Sequence, residues 1–507
     1  MACLLELSHE LLHCVLTYVE PADLAALSRS CGAFNEYIKG NKLLCKNLYL
    51  QRFDHPVESD AGEEPCWETE LRKLTALEKL LSTENVEAKR ENLELIATAI
   101  LPLLQTPTSD LNIAWLTSHF ANKANLDNIL AASSIFGKAG SRDQTPAATP
   151  ELQQLSARLH CLYGVPIDTP PSKCPLSYTN PSLRLLSLHH ILYPNSTESP
   201  ASYHAHMTRA RDANSPVPTH SYARARVYDL RRYTDGSFWG PFKDDGSGDV
   251  DWEKVEAVMV VLGYNLKRYV EKSNGCVEDV WDTPWRGVGP HSYVSLPCAR
   301  PDPTRELGAP GDLESRDPYG DCVLLDYNDL YAFNFAHTHW PADRERDPID
   351  TEEAIRLIKL KLQVTKIEPP GEDDGQGLPV VTFKGTSKSM HASWDPNANS
   401  RIRGTVRQTP QGEIRWTTFS IFHGEERWRS EGVQIGGIRS ARGILGNWFD
   451  KDYDIHGPAG PTAFWKLSDE KADERTNDRS TPSLYAAFPM GGDDDDDVDD
   501  DDWVDEG

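Results

Sequence analysis

The sequence lacks any run of about 18 apolar residues, the length that a helix needs to span a bilayer. Its first residues, MACLLELSHELLHC, contain no basic cluster and include Glu6 and Glu10, unlike a secretion signal. The ten Cys form no Cys-x-x-Cys pair, which argues against a zinc ribbon or a disulfide framework. These absences predict a protein of the cytoplasm or nucleus with reduced thiols and no membrane partner.

Basic residues are also scarce. The chain has 52 Lys and Arg against 78 Asp and Glu, which gives a formal net charge of -26. Residues 493–506 hold ten Asp and one Glu, but the rest of the chain is still acidic. Nucleic-acid binding depends on Lys and Arg that neutralise phosphates, so no nucleic-acid partner is expected.

Motifs typical of catalysis or metal binding are scarce. GxSxG does not occur, HExxH occurs once, at residues 9–13, and the His pairs at 204–206 and 337–339 have no third ligand at a recognisable spacing. The acidic stretch at 244–253 fails the EF-hand spacing and instead predicts a Gly-rich turn before a helix near Asp251. The sequence therefore predicts a protein that is not an enzyme and has no cofactor and no metal site.

The 507 residues exceed what one hydrophobic core usually accommodates, and their patterning changes along the chain. The fold class predicted is α+β, with a small all-α helical bundle, then a mainly antiparallel β barrel or sandwich, then a disordered acidic tail. The predicted segments are a bundle at 1–54, a helical linker at 55–137, a Pro/Ser-rich irregular region at 138–225, a β-rich domain at 226–470 and the tail at 471–507.

Short alternating runs separated by turn residues predict the strands, and Pro102 is expected to end a helix. The strand candidates are residues 322–335, 355–367, 378–385, 401–408, a hairpin at 413–437, 441–449 and 462–467.

Residues 4–53 resemble an F-box. The matching stretches are LSHELL (7–12), VLTYVEPADLAAL (15–27) and LCKNLYLQRF (44–53). Ser8 stands where the family usually has Pro, and Cys45 where it usually has Trp. The resemblance implies a module that does no chemistry and docks on a Skp-type adaptor, which a cullin scaffold links to ubiquitin transfer.

A leucine-rich segment this short cannot bury all its apolar residues, so Leu11, Leu12, Val15 and Leu24 are expected to form an exposed partner surface. The alternative is that the segment is only the first bundle of a larger helical domain. The full set of expected adaptor-binding residues is Leu7, Leu11, Leu12, Val15, Leu16, Pro21, Leu24, Leu27 and Cys45.

The region from 226 to 467 resembles an architecture in fungal F-box proteins and, more distantly, the lipocalin-like substrate barrel of some F-box-only proteins. The resemblance rests on residues 227–266, 401–407, 446–467 and the hairpin at 413–437. It implies a substrate-recognition domain for an unknown protein. The alternative is a barrel that binds a small ligand and has no ubiquitin-ligase role.

The hairpin EIRWTTFSIFHGEERWRSEGVQIGG is expected to turn at His423-Gly424. A two-residue turn would pair Phe419 with Trp428 on a buried face, and would place Trp416, Arg427, Arg429 and Glu431 on the other. A turn of different length would exchange these faces.

Arg and Trp on one face suit an acidic or C-terminal peptide segment, because Arg makes bidentate contacts with carboxylates. The alternative is a solvated face of cross-strand salt bridges. The predicted substrate-binding residues are Trp416, Arg427, Arg429, Glu431, Arg403 and Arg407.

Overall fold

The computed structural model describes residues 7–56, 64–104, 111–140, 148–164, 219–272, 318–324, 327–335 and 353–466, and several residues at 281–288 and 341–351. Within the longest range, residues 391–393, 395–397, 438–439 and 441 are not described. Both His pairs and the acidic tail fall outside the described residues, so the expectations about them stay predictions.

Helices build the first part of the chain. Helix α1 begins after Ser8, whose Oγ accepts a hydrogen bond from the Leu11 amide at 3.5 Å. Pro21 starts α2, where a residue without an N–H is well tolerated. The helices are α1 His9–Leu16, α2 Pro21–Ser30, α3 Gly32–Ile38, α4 Lys42–Leu50, α5 Trp67–Ser82, α6 Val86–Glu91, α7 Leu93–Leu104, α8 Leu111–Phe120, α9 Lys123–Leu130, α10 Ser134–Gly140, α11 Pro150–Tyr163, α12 Thr219–Val227, α13 Trp252–Lys272 and α14 Tyr327–Phe335.

Several helices lie where the sequence predicted something else. Helix α11 and most of α12 fall within the segment predicted to be irregular, and α14 takes the second half of the predicted strand at 322–335. Asn334 on α14 donates a hydrogen bond to the Tyr228 carbonyl at 3.0 Å, a long-range contact that local propensity cannot reveal. Helix α7 continues two residues past Pro102, because Leu103 and Leu104 are buried there.

The helices of residues 9–50 share one hydrophobic core with those that follow. The ring of Tyr49 lies 5.6 Å from that of Trp67, and the ring of Phe53 lies 5.3 Å from that of Trp115. Helix α13 is buried along most of its length and packs against strands of the C-terminal sheet. The segment predicted to be a helical linker is therefore part of the packed body of the protein.

The C-terminal strands form an antiparallel barrel, which decides between the barrel and the sandwich. Each strand pairs with its neighbours in sequence, and seven of them, β2 to β8, make a strongly curled sheet. The first strand pairs with both β2 and β8 and closes the barrel. The strands are β1 Pro318–Leu324, β2 Ala354–Glu368, β3 Val380–Ser389, β4 Ser400–Gln408, β5 Ile414–Phe422, β6 Glu425–Gln434, β7 Ile444–Asp450 and β8 Ala459–Lys466.

Side chains alternate between the two sides of the barrel wall. Inward-facing residues such as Val381, Phe383, Ile402 and Ile414 are buried against one another. On the outer side, the wall at β7 and β8 is covered by α13. The wall at β2, β3 and β4 carries exposed polar residues at alternate positions.

The predicted Gly-rich turn before Asp251 is confirmed. Gly246 and Gly248 take positive φ values of 74° and 77°, which glycine adopts without strain. The Asp251 carboxylate then accepts a hydrogen bond from the Lys254 amide at 3.3 Å, and helix α13 follows. In the part of the chain that the structure describes, no helix is both long and apolar enough to cross a membrane.

Candidate partner-binding surfaces

Helix α1 presents an apolar stripe to solvent. The exposed fractions are 55% for Leu11, 41% for Val15 and 88% for Tyr18, and these residues are spaced by four and then three positions. That spacing places all three on one side of the helix and its C-terminal end. The described residues leave this stripe exposed, and an exposed apolar stripe marks a surface for a partner.

The other expected adaptor residues divide by burial. Leu7 and Leu27 are half-buried. The expectation of an exposed Leu12 and Leu24 is wrong, because both side chains pack into the core of the bundle. The remaining residues in the set are buried as well: Leu16, Pro21 and Cys45. They hold the exposed stripe in place and do not line it.

Contacts between helices fix the orientation of α1. The Tyr37 hydroxyl donates to the carbonyl of His9 at 3.0 Å, and the side chains of His13 and Asn47 are hydrogen-bonded at 2.9 Å. These contacts tie α1 to α3 and α4. The sequence interpretation missed Tyr18, and its position seven residues after Leu11 was the available signal.

The 413–437 hairpin turns at His423-Gly424, as predicted. His423 and Gly424 have positive φ values of 52° and 84°, and Phe422 pairs with Glu425 across the turn. Beyond Ile421 the register shifts by one residue, because Arg427 is the extra residue of a β-bulge.

The bulge makes the predicted faces wrong. Phe419 pairs with Arg429 and not with Trp428. Trp416 lies on the inner side of the barrel, where its ring is 5.4 Å from that of Phe383 and its Nε1 donates to Gln434 at 3.0 Å. Arg429 and Glu431 lie on the outer side, so the proposed cluster of Trp416 with these residues does not form.

Glu431 is the centre of a buried polar cluster. Its carboxylate accepts hydrogen bonds from Arg415 at 2.8 Å, from Arg429 at 2.6 Å and from the Thr417 hydroxyl at 3.0 Å. The chain at Gly240 lies directly over it, since a Cβ added to Gly240 would be 2.7 Å from the Glu431 Cβ. A carboxylate removed from water requires such partners. Arg429 and Arg415 therefore form salt bridges within the sheet, as the alternative to a substrate-binding role predicted.

Aromatic rings cover the two guanidinium groups of this cluster. Arg415 stacks on Phe238 at 4.2 Å from the ring centre, and Arg429 lies 5.3 Å from the ring of Phe419 and 5.4 Å from that of Tyr453. These contacts and the Glu431 carboxylate occupy both arginines within the fold.

The other predicted substrate residues are more accessible. Arg403 is exposed and forms an ion pair with Glu426, and Arg407 contacts Asp374 at 3.4 Å. Arg427 is exposed on the bulge and makes no ion pair within the described residues. No three His, Cys, Asp or Glu side chains within the described ranges converge in a way that could hold a metal ion.

The described part of the chain joins a small helical module with an exposed apolar stripe to a closed antiparallel barrel. A family model of the F-box domain matches residues 4–46. The chain thus contains an F-box domain at these residues. No curated protein and no solved structure matches it.

Proposed function

We propose that the chain is the substrate-recognition subunit of an SCF-type E3 ubiquitin ligase. F-box domains generally bind Skp-type adaptors, and F-box proteins are generally adaptor subunits without catalysis of their own. In this proposal the F-box binds the adaptor and, through it, the cullin scaffold. The barrel binds protein targets in the cytoplasm or nucleus and promotes their ubiquitination and proteasomal degradation.

The observation that carries the proposal is the exposed stripe of Leu11, Val15 and Tyr18 within the residues that match the F-box. A partner that covers the stripe would remove its apolar surface from water, and this burial would stabilise the complex. The buried neighbours Leu12 and Leu16 anchor the helix, so the stripe is presented on a rigid support.

The test is adaptor binding by a Leu11→Asp, Val15→Asp double variant. Burying two unpaired carboxylates in an apolar contact costs several kcal/mol, so affinity for a Skp-type adaptor should fall at least about 100-fold. Because both residues are exposed, the fold and the melting temperature should be retained.

A matched control is available outside the F-box. Val86 and Leu95 are each 41% exposed, like Val15, and lie on α6 and α7. A Val86→Asp, Leu95→Asp variant should bind the adaptor as the unaltered chain does. Normal adaptor binding by the folded Leu11/Val15 variant would contradict the proposal.

A further inference from the structure

The outer side of β2, β3 and β4 is strongly basic. Outward-facing positions alternate with buried ones along each strand, and most of those that carry charge are exposed. We call this surface the basic face; its members are Lys359, Lys361, Lys366, Lys384, Lys388, Arg401 and Arg403.

The strand register places like charges directly opposite one another. Lys359 pairs with Lys388 across β2 and β3, and Lys384 pairs with Arg403 across β3 and β4. Directly opposed like charges destabilise a sheet, so these pairs work against folding. A surface that binds an anion accounts for them, because the ligand neutralises the repulsion.

Two ion pairs neutralise part of this charge. Glu426 forms an ion pair with Arg403, and Glu368 contacts Lys366 at 2.8 Å. Among the outward positions of β2 to β4 that pair across these strands, Glu368 is the single acidic residue, against seven Lys and Arg. In a chain with a net charge of -26, so large a basic surface needs its own explanation.

We propose that the basic face binds an acidic polypeptide segment, and that its occupant in the free chain is the chain's own Asp-rich segment, residues 493–506. That segment holds ten Asp and one Glu, and its charge is complementary to the seven cations of the face. Lys and Arg side chains form charge-assisted contacts with carboxylates. This proposal does not depend on the adaptor role of the F-box.

The connection between the two is long enough. Strand β8 ends at Lys466, and 26 residues separate it from Asp493. Such a connection can extend to about 85 Å at roughly 3.3 Å per residue. The basic face begins two strands from β8, and neighbouring strands are about 4.8 Å apart. A tethered segment is also present at an effective concentration on the order of millimolar, which favours binding within the chain.

The experiment measures binding of a dye-labelled synthetic peptide of residues 491–507 by fluorescence anisotropy. The peptide is titrated with the full chain and with a chain that lacks residues 491–507. The truncated chain should bind the peptide, and the full chain should bind it at least about tenfold more weakly because its own segment competes. A peptide with Asn in place of every Asp should not bind. Raising NaCl from about 50 to 300 mM should weaken binding at least about tenfold, since salt screens exposed charges.

Variants of the truncated chain locate the site. Lys361→Ala with Lys384→Ala and Lys388→Ala should lower peptide affinity at least about tenfold, and its melting temperature should be equal or higher because like-charge pairs are removed. Replacing the same three residues with Arg should preserve binding even if the Ala variant misfolds. The control removes three exposed lysines of the helical part, Lys39, Lys42 and Lys79, and should have no effect.

Three results would overturn the proposal. The folded triple-Ala variant could bind the peptide as tightly as the parent does, which would place the site elsewhere. The Asn peptide could bind as well as the Asp peptide, which would exclude charge as the basis. Equal affinity of the full and truncated chains would show that the face is open to acidic partners and that residues 493–506 do not occupy it.

Discussion

Arg427 and Arg429 are two residues apart on β6, yet alanine should affect them very differently. Arg429 donates from Nε at 3.0 Å and from a terminal nitrogen at 2.6 Å to a single oxygen of Glu431, whose side chain is fully buried. Arg427 is exposed and lies on the bulge. The pair is thus an internal control in which residue type and strand are the same and only the environment differs.

The magnitude follows from what remains after each substitution. Arg429→Ala leaves a buried carboxylate with only Arg415 and Thr417 as partners. Removing one partner of a fully buried pair costs about 3–5 kcal/mol, and a charge-assisted hydrogen bond contributes about 1.5–3 kcal/mol. Because Arg415 remains, we expect about 2–3 kcal/mol for Arg429→Ala. Arg427→Ala should change stability by less than about 0.5 kcal/mol.

Thermal unfolding followed by circular dichroism measures the difference. In a domain of this size about 1 kcal/mol shifts the melting temperature by roughly 2–4 °C, so Arg429→Ala should lower it by about 5–10 °C. Arg427→Ala should leave it unchanged. Equal shifts for the two variants would refute the assignment of Arg429 to the fold. A stable Arg429 variant that loses substrate would restore the original interpretation of Arg429 as a binding residue.

Two further predictions concern a buried lysine and a glycine. Burial, with Arg232 and Arg226 nearby, lowers the pKa of Lys254 to about 7. Between pH 7 and about 10 the unfolded chain therefore binds more protons at this residue, so its contribution makes the free energy of unfolding rise with pH. In urea titrations, the free energy of unfolding of the unaltered chain should rise by about 2 kcal/mol relative to that of Lys254→Met between pH 7 and 9. A difference between the two chains that does not change with pH would contradict this. Gly446→Ala should destabilise the barrel by about 1–3 kcal/mol, because the added Cβ would lie 2.1 Å from the Glu431 carbonyl oxygen. A Cβ added at Gly32 meets no atom within 4 Å, so Gly32→Ala should leave the melting temperature unchanged in the same assay.

The sequence alone was sufficient for features that depend on local periodicity. Strands β2 to β8 lie at or near the alternating runs that predicted them, and the turn at His423-Gly424 has the expected conformation. The F-box pattern was recognisable because its helix spacing and its Pro21 turn are carried by nearby residues. These features are local, so neighbours in sequence specify them.

Only the tertiary structure decided which residues are accessible. Leu11 and Leu12 are adjacent and chemically identical, but only the packing of α1 on the bundle determines that Leu12 is buried and Leu11 exposed. A single extra residue, Arg427, shifted the register of the hairpin and moved Trp416 and Arg429 to opposite sides of the barrel wall. Because side chains alternate with a period of two, one bulge reverses every assignment beyond it. The burial of Glu431 depends on the chain at Gly240, almost two hundred residues earlier in the sequence, and no local pattern contains that contact.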